Sequence, residues 1–165
     1  MSIIIPRKKF LSMSVLGSAA ILFGKSAIGQ EKPKKPDPLD KELVREFVGK
    51  CHSDLNRVKE LFSQQPALLN SSWDLGGGDF ETGLEAAGHV GNKDIAHFLI
   101  DHGARMNIFC AAMLGKMEIV KTILSAFPEL KTSKGPHGLQ LLHHAKKGGE
   151  DAREVLQYLE SIGAQ

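Results

Sequence analysis

Histidine and glutamate side chains are the groups in this sequence whose types and spacing first suggest metal or acid–base chemistry. Seven histidines are present, and Glu85 and His89 are four residues apart, so that they share one face of a helix. His137, His143 and His144 lie close together later in the chain, and His144 could face the same groove two structural units away. Because packed helices are about 10 Å apart, we expect roughly 20 Å between the two groups. Zinc ligands lie about 2 Å from the ion, so this spacing predicts no shared metal site.

The two cysteines are the side chains that could act as nucleophiles or pair with each other. Cys110 lies among apolar neighbours, which predicts a buried and inert thiol. Cys51 and Cys110 fall on helices two units apart, at roughly 20 Å, whereas a disulfide requires α-carbons within about 7 Å. We therefore expect no disulfide between them.

A run of three glycines, Gly76 to Gly78, lacks the features of a phosphate-binding loop. The next residue, Asp79, would repel an anion rather than bind it. The chain also lacks the G-x-S-x-G motif of serine hydrolases. The sequence therefore predicts no catalytic residue, no cofactor and a protein that is not an enzyme.

The size and charge of the chain limit its organisation and its partners. Its 165 residues are enough for one domain with a core. Lysine and arginine total 21 against 19 acidic residues, but four of the basic residues lie in the first 29 positions, where no acidic residue occurs. The remainder is slightly acidic, which argues against a nucleic-acid-binding surface.

The first 29 residues have the layout of an export signal. Arg7-Lys8-Lys9 supplies a positive start, and Leu11 to Phe23 carries no charge. Ala27 and Gly29 fit the cleavage-site positions, whereas the uncharged stretch is shorter than the roughly 20 apolar residues of a spanning helix. We expect a cleaved signal over residues 1–29 and a periplasmic or secreted protein with no stable membrane span; an uncleaved anchor is the alternative. The start also resembles a twin-arginine signal with Lys8 in place of the second arginine, so that the twin-arginine and Sec routes both stay open.

A linker separates this segment from the folded domain. Residues 30–37 are rich in lysine and proline and contain almost nothing that could be buried, which predicts an extended tether. Asp37 can cap a helix, and Pro38 suits the first helical position. The folded domain is therefore expected to span residues 38–165.

The remainder of the chain repeats itself. Phe98 to Ala104 matches Tyr158 to Ala164 at an offset of 60, and Leu61 to Leu68 matches Ile123 to Leu130 at an offset of 62. Two interleaved pairs at this spacing indicate four units of about 30 residues. Each unit has the pattern of two short helices whose apolar stripes are buried only when the units stack. The predicted fold class is an all-α solenoid of about four helix-turn-helix repeats.

Several of these segments resemble the ankyrin repeat, whose signature is T-P-L-H-x-A-A-x-x-G, followed by an I-V-x-x-L-L helix and a G-A-x-x-N exit. Thr82 to Gly91 matches the threonine, leucine, first alanine and glycine, with glycine and glutamate in place of the proline and histidine. Gly103 to Asn107 fits the exit, and Ile119 to Leu124 fits the second helix. His143 occupies the family's histidine position, which implies a side chain that hydrogen-bonds the backbone of neighbouring loops.

Two departures from the ankyrin pattern predict where the stack is irregular. Gly91 and Gly115 are 24 residues apart, compared with about 33 in a full repeat. The missing residues fall between Asn107 and Phe109, so we expect the third repeat to be shortened and to lack its projecting hairpin. The connection from Asn70 to Glu81 is long instead, and it is expected to form the most prominent projection.

The resemblance implies a non-catalytic protein–protein interaction module, because most ankyrin proteins bind other proteins through hairpin tips and the first-helix face of a groove. The acidic residues near the long loop favour a basic partner protein. Trp73 is either an anchor for that partner or a side chain that, with Phe80, fixes the loop to the first two units. By position, the expected partner-binding surface consists of Trp73, Asp74, Asp79, Phe80, Glu85, His89, Met113 and His144.

Two other interpretations stay open. One is a small exported enzyme or metal-binding protein that uses Glu85, His89 and the loop of residues 73–80. The other is a capping subunit that is stable only within an envelope complex, because four irregular repeats provide few stacking interfaces.

Overall fold

A computed structural model of the chain describes residues 35–164, so the expected export signal and most of the linker lie outside the described residues. Within this range the fold is mostly helical, with one short β-hairpin between the second and third helices. The hairpin pairs β1 (Ser72–Asp74) antiparallel with β2 (Phe80–Thr82). The α-helices are α1 (Lys41–Lys50), α2 (Leu55–Gln64), α3 (Gly83–Val90), α4 (Lys93–Asp101), α5 (Ile108–Met113), α6 (Met117–Ala126), α7 (Leu141–Gly148) and α8 (Arg153–Ser161). Among the described residues, no helix has the length and apolar character needed to cross a membrane.

Side-chain capping explains where the first five α-helices, α1 to α5, begin. Thr82 and Glu85 form a reciprocal capping box at the start of α3, and Gly91 ends this helix with a φ of +83°. The expected start of α1 was wrong. Asp40, and not Asp37, caps this helix by accepting a hydrogen bond from Leu43 N at 3.0 Å, and the segment around Pro38 is not helical.

The helices pack as successive pairs. Each odd-numbered helix contacts the helix that follows it, and α1, α3, α5 and α7 contact one another in sequence order. In addition, α7 contacts α3 directly, across the intervening α5. Gly91 permits this approach, because a Cβ at its position would lie 2.6 Å from the carbonyl oxygen of Lys147 at the end of α7.

The connection into the third helix pair is shorter than the connection into the second. Residues 102–107 connect α4 to α5 with no strand, whereas residues 65–82 between α2 and α3 contain a 3₁₀ turn and the hairpin. The helix α5 is also short, at six residues. The helix α3 also contacts α7 of the last pair directly.

Both cysteines belong to the packed interior. A Cβ atom added to Gly83 would lie 2.7 Å from Cys51 Sγ, and one added to Gly88 would lie 2.8 Å from Cys110 Sγ. The absence of side chains at these two glycines therefore lets α1 and α5 pack closely against α3. Both thiols are free, which confirms the prediction of no disulfide between them. Burial, with a smaller effect of nearby Glu81 or Glu85, raises the pKa of each thiol to about 12.

Candidate functional site

Four side chains from separate parts of the chain converge on one point. His52 follows α1, Glu81 lies in the middle of β2, His89 lies near the end of α3, and His137 lies in the turn before α7. Each of the four can offer one nitrogen or oxygen atom such that all these atoms lie within 4.8 Å of one another. We call this set the His–Glu cluster.

The expected separation of roughly 20 Å between the early and late histidines was wrong. The rings of His89 and His137 have centroids 4.9 Å apart, and His143 Nε2 donates a hydrogen bond to the backbone oxygen of His89 at 2.9 Å. The reason is the direct contact of α7 with α3, which the estimate from evenly stacked helices did not include. The His143 side chain thus bonds to backbone, as its place in the ankyrin pattern implies, but the acceptor lies within α3 and not in a neighbouring loop.

Glu81 is the centre of the cluster. His89 Nε2 lies 3.1 Å and His137 Nε2 lies 3.4 Å from Glu81 Oε1, and His52 Nε2 lies 3.5 Å from Glu81 Oε2. The Glu81 side chain is completely buried, yet neither of its carboxylate oxygens accepts a hydrogen bond from the described residues. Burying a carboxylate without hydrogen bonds or a paired charge lowers the stability of the fold. The three imidazoles are the groups close enough to Glu81 to offset this electrostatic cost.

Two histidines of the cluster are held in place, His52 by the backbone and His137 by one carboxylate. His52 Nδ1 donates to the carbonyl oxygen of Gly49 at 3.0 Å, which leaves the lone pair of a neutral His52 ring on Nε2. His137 has a φ of +58°, the only positive φ of a non-glycine residue among those described. Its backbone N–H donates to both carboxylate oxygens of Asp79 at 3.1 Å, and its Nδ1 lies 3.6 Å from Asp79 Oδ2.

The hairpin carries the buried carboxylate and an exposed apolar surface on opposite sides. Successive side chains of a strand point to opposite faces, and accordingly Phe80 is 58% exposed while Glu81 is buried. Leu75, in the turn, is 43% exposed. Trp73 is partly buried and packs against the core, as the interpretation that it fixes the loop requires, whereas Phe80, which the same interpretation includes, is exposed.

The acidic residues of the expected partner-binding surface mostly have partners within the chain. Asp79 holds the turn of His137, and Asp74 Oδ1 accepts from Gly76 N at 2.8 Å. Glu85 is engaged by its own capping box and accepts a hydrogen bond from Asn107 Nδ2 at 2.9 Å. Asp74 keeps an exposed side chain, so the charge available to a basic partner is smaller than the composition of the loop indicates.

The two remaining residues of that surface are enclosed. Met113 and His144 are 0% and 1% exposed, because α5 and α7 pack against each other where an open groove was expected. In this structure neither side chain is offered to a partner. Burial lowers the pKa of His144 to about 4, against the opposing effect of its hydrogen bond to the Gln140 carbonyl oxygen.

Sequence reasoning considered His89 and His137 but placed them roughly 20 Å apart, and it missed His52 and Glu81. His52 and Glu81 gave no motif, since they come from different units and their proximity depends on tertiary packing. The sequence feature that could have indicated the cluster is the shortened third unit, because fewer residues there let α3 lie closer to the turn that carries His137. Comparisons of the chain with family models, with curated proteins and with solved structures found no match.

Proposed function

We propose that this chain is a non-catalytic protein-recognition module of the ankyrin type, which acts outside the cytoplasm after export. The observation that carries the proposal is a structured hairpin with two large apolar side chains, Leu75 and Phe80, exposed on it. Exposed apolar side chains on a rigid support are typical of surfaces that bind another protein. The succession of helix pairs and the capped Thr82–Gly91 segment support the ankyrin resemblance.

The hairpin is preorganised for binding. Trp73 packs one of its strands onto the core, and Asp79 ties its turn to His137 in the last unit. Thr82 connects its end directly to the capping box of α3. Because these contacts already fix the hairpin, a partner would not have to order it on binding, which removes part of the entropic cost of association.

The exposed groups indicate the chemistry of the partner. Phe80 and Leu75 require an apolar pocket, and the nearby exposed carboxylate of Asp74 favours a basic group at the rim of that pocket. We therefore propose a partner protein with an apolar depression bordered by lysine or arginine.

The buried thiols support a non-catalytic role. With pKa values raised to about 12, Cys51 and Cys110 are protonated at neutral pH and would be poor nucleophiles. Glu85, which the enzyme interpretation uses, is already engaged in the capping box and by Asn107.

A crosslinking capture from the native cell envelope tests the proposal. The baits are the full chain, its Phe80→Ser variant and its Phe127→Ser variant. Phe127 is a matched control, because it is 55% exposed at the end of α6 and therefore similar in exposure to Phe80. We expect the parent and Phe127→Ser to capture the same protein and Phe80→Ser to lose it. Equal capture by all three baits, or no capture by the folded parent, would contradict the proposal.

A further inference from the structure

We propose that the His–Glu cluster is a binding site for a divalent transition metal ion, with zinc as the best fit. The ligands would be His52 Nε2, His89 Nε2, His137 Nε2 and one carboxylate oxygen of Glu81. This proposal goes beyond protein recognition and does not depend on it. It departs from the expectation of no shared metal site, which rested on the separation that the contact between α3 and α7 removes. It shares His89 with the metal-binding interpretation left open above, but it uses Glu81 in place of Glu85.

The distances within the cluster fit tetrahedral coordination. Ligand atoms about 2.0–2.1 Å from a zinc ion form a tetrahedron with edges of about 3.3 Å. The separation of His52 Nε2 from His89 Nε2 is 3.0 Å, and the separations of Glu81 oxygens from the three imidazole nitrogens range from 3.1 to 3.5 Å. His89 and His137 are close to Oε1 and His52 is close to Oε2, and all four ligand atoms lie within 4.8 Å of one another. The side chains would therefore have to close in by up to about 1.5 Å to reach the edges of a zinc tetrahedron.

The state of Glu81 is an independent reason to place a cation here. Its carboxylate is fully buried and accepts no hydrogen bond from the described residues, although three imidazole nitrogens lie within 3.5 Å of it. A metal ion would supply the missing positive charge and would use the lone pairs of the nitrogens and of the oxygen together. Without an ion, the close approach of His52 to His89 requires the N–H of one ring to donate a hydrogen bond to the lone pair of the other.

The groups behind the ligands are those that commonly orient metal-binding histidines. A ligating histidine usually donates its second ring N–H to a backbone carbonyl or a carboxylate. His52 Nδ1 does so to the carbonyl oxygen of Gly49 at 3.0 Å. The Asp79 carboxylate lies 3.6 Å from His137 Nδ1 and binds the backbone of the same residue. The positive φ of His137 is a local strain of the kind that accumulates at ligand sites.

The donor set selects the type of metal and the role of the site. Three imidazoles and one carboxylate suit zinc, whereas calcium and magnesium prefer oxygen ligands throughout. Four protein ligands complete the coordination of zinc, as in structural sites. The ion would join the end of α1, the hairpin with α3, and the turn before α7. The site would therefore connect units that are distant in sequence.

Calorimetric titration with Zn²⁺ tests this site on the full chain after treatment with a chelator. The test variants are Glu81→Gln and His137→Asn, and His97→Asn is the matched control because His97 is exposed on α4 and outside the cluster. We expect about one zinc ion per chain for the parent and the control. Since loss of an outer-shell group alone weakens metal binding about 10- to 100-fold, each test variant is expected to weaken it by about 100-fold or more.

The His137→Asn variant keeps the test decisive if Glu81→Gln, which alters a buried side chain, fails to fold. The His137 side chain is 38% exposed, and asparagine tolerates its positive φ, so that this substitution leaves the core intact. Circular dichroism verifies the fold of each variant. Equal zinc binding by all four proteins, or no zinc binding by the folded parent, would overturn the proposal. Titration with Co²⁺ provides a second criterion: strong visible absorption indicates the tetrahedral site, and a weak octahedral spectrum would contradict it.

Discussion

His144 should make the folded protein sensitive to acid. Its side chain is 1% exposed, and burial is the main reason why its pKa falls from 6.5 to about 4. Positive charge on His143 or His89 lowers the pKa further, whereas the hydrogen bond to the Gln140 carbonyl oxygen opposes the decrease. Replacing His144 with glutamine removes the titrating group and keeps a side chain that can donate to this carbonyl.

The size of the stability loss at acid pH follows from the linkage between protonation of His144 and folding. The pKa of His144 is lower in the folded state, so the unfolded chain binds the proton first as the pH falls. The contribution of neutral His144 to stability is therefore fully present above pH 6.5 and is lost as the pH falls toward 4. The difference corresponds to about 3 kcal/mol of unfolding free energy between about pH 7 and about pH 4. About 2 kcal/mol of this loss should already be present near pH 5.

Urea unfolding followed by circular dichroism, at a series of pH values with chelator present, measures this effect. The parent should lose about 3 kcal/mol more than His144→Gln between about pH 7 and about pH 4. The control His97→Gln removes an exposed histidine and should follow the parent to within about 0.5 kcal/mol. Parallel pH profiles of the parent and His144→Gln would refute the reasoning.

Two further predictions concern the interior. Gly91→Ala should lower the unfolding free energy by more than about 1 kcal/mol, because Gly91 has a φ of +83° and no room beside the carbonyl oxygen of Lys147; an unchanged urea midpoint would contradict the close contact of α3 with α7. Cys51 and Cys110, with pKa values of about 12, should resist a thiol reagent at neutral pH in the native protein and react rapidly once urea unfolds it. Rapid labelling of either thiol in the native state would show that its burial is wrong.

The helix pairs could be predicted from the sequence because their signals are local. The Thr82 to Gly91 segment, which matches the start of an ankyrin unit, forms α3 from Gly83 to Val90 and ends at its glycine. Capping residues and apolar spacing act within a few residues, so they are visible in the sequence. The first residue of α1 was harder to predict, since Asp37 and Asp40 are both possible caps. In the structure Asp40 is the cap, and the preceding residue, Leu39, packs against the core.

The His–Glu cluster could not be predicted in the same way, because it depends on contacts between distant parts of the chain. Glu81 and His137 are 56 positions apart in the sequence, yet their side chains lie 3.4 Å apart. This proximity requires both the short connection into α5 and the space that Gly91 leaves for α7. Likewise, Met113 and His144 were expected on a groove, and only the packing of α5 against α7 shows that both are enclosed.

The affinity of the captured partner for three forms of the chain tests the recognition proposal most directly. The forms are the parent, Phe80→Ser and Phe127→Ser, measured at equilibrium with the purified partner. If the hairpin is the binding surface, Phe80→Ser should weaken binding by about 30-fold or more, as loss of an interface hot spot does. Phe127→Ser should then stay within about twofold of the parent. An unchanged affinity of the folded Phe80→Ser variant would contradict the assignment of the hairpin as the recognition surface.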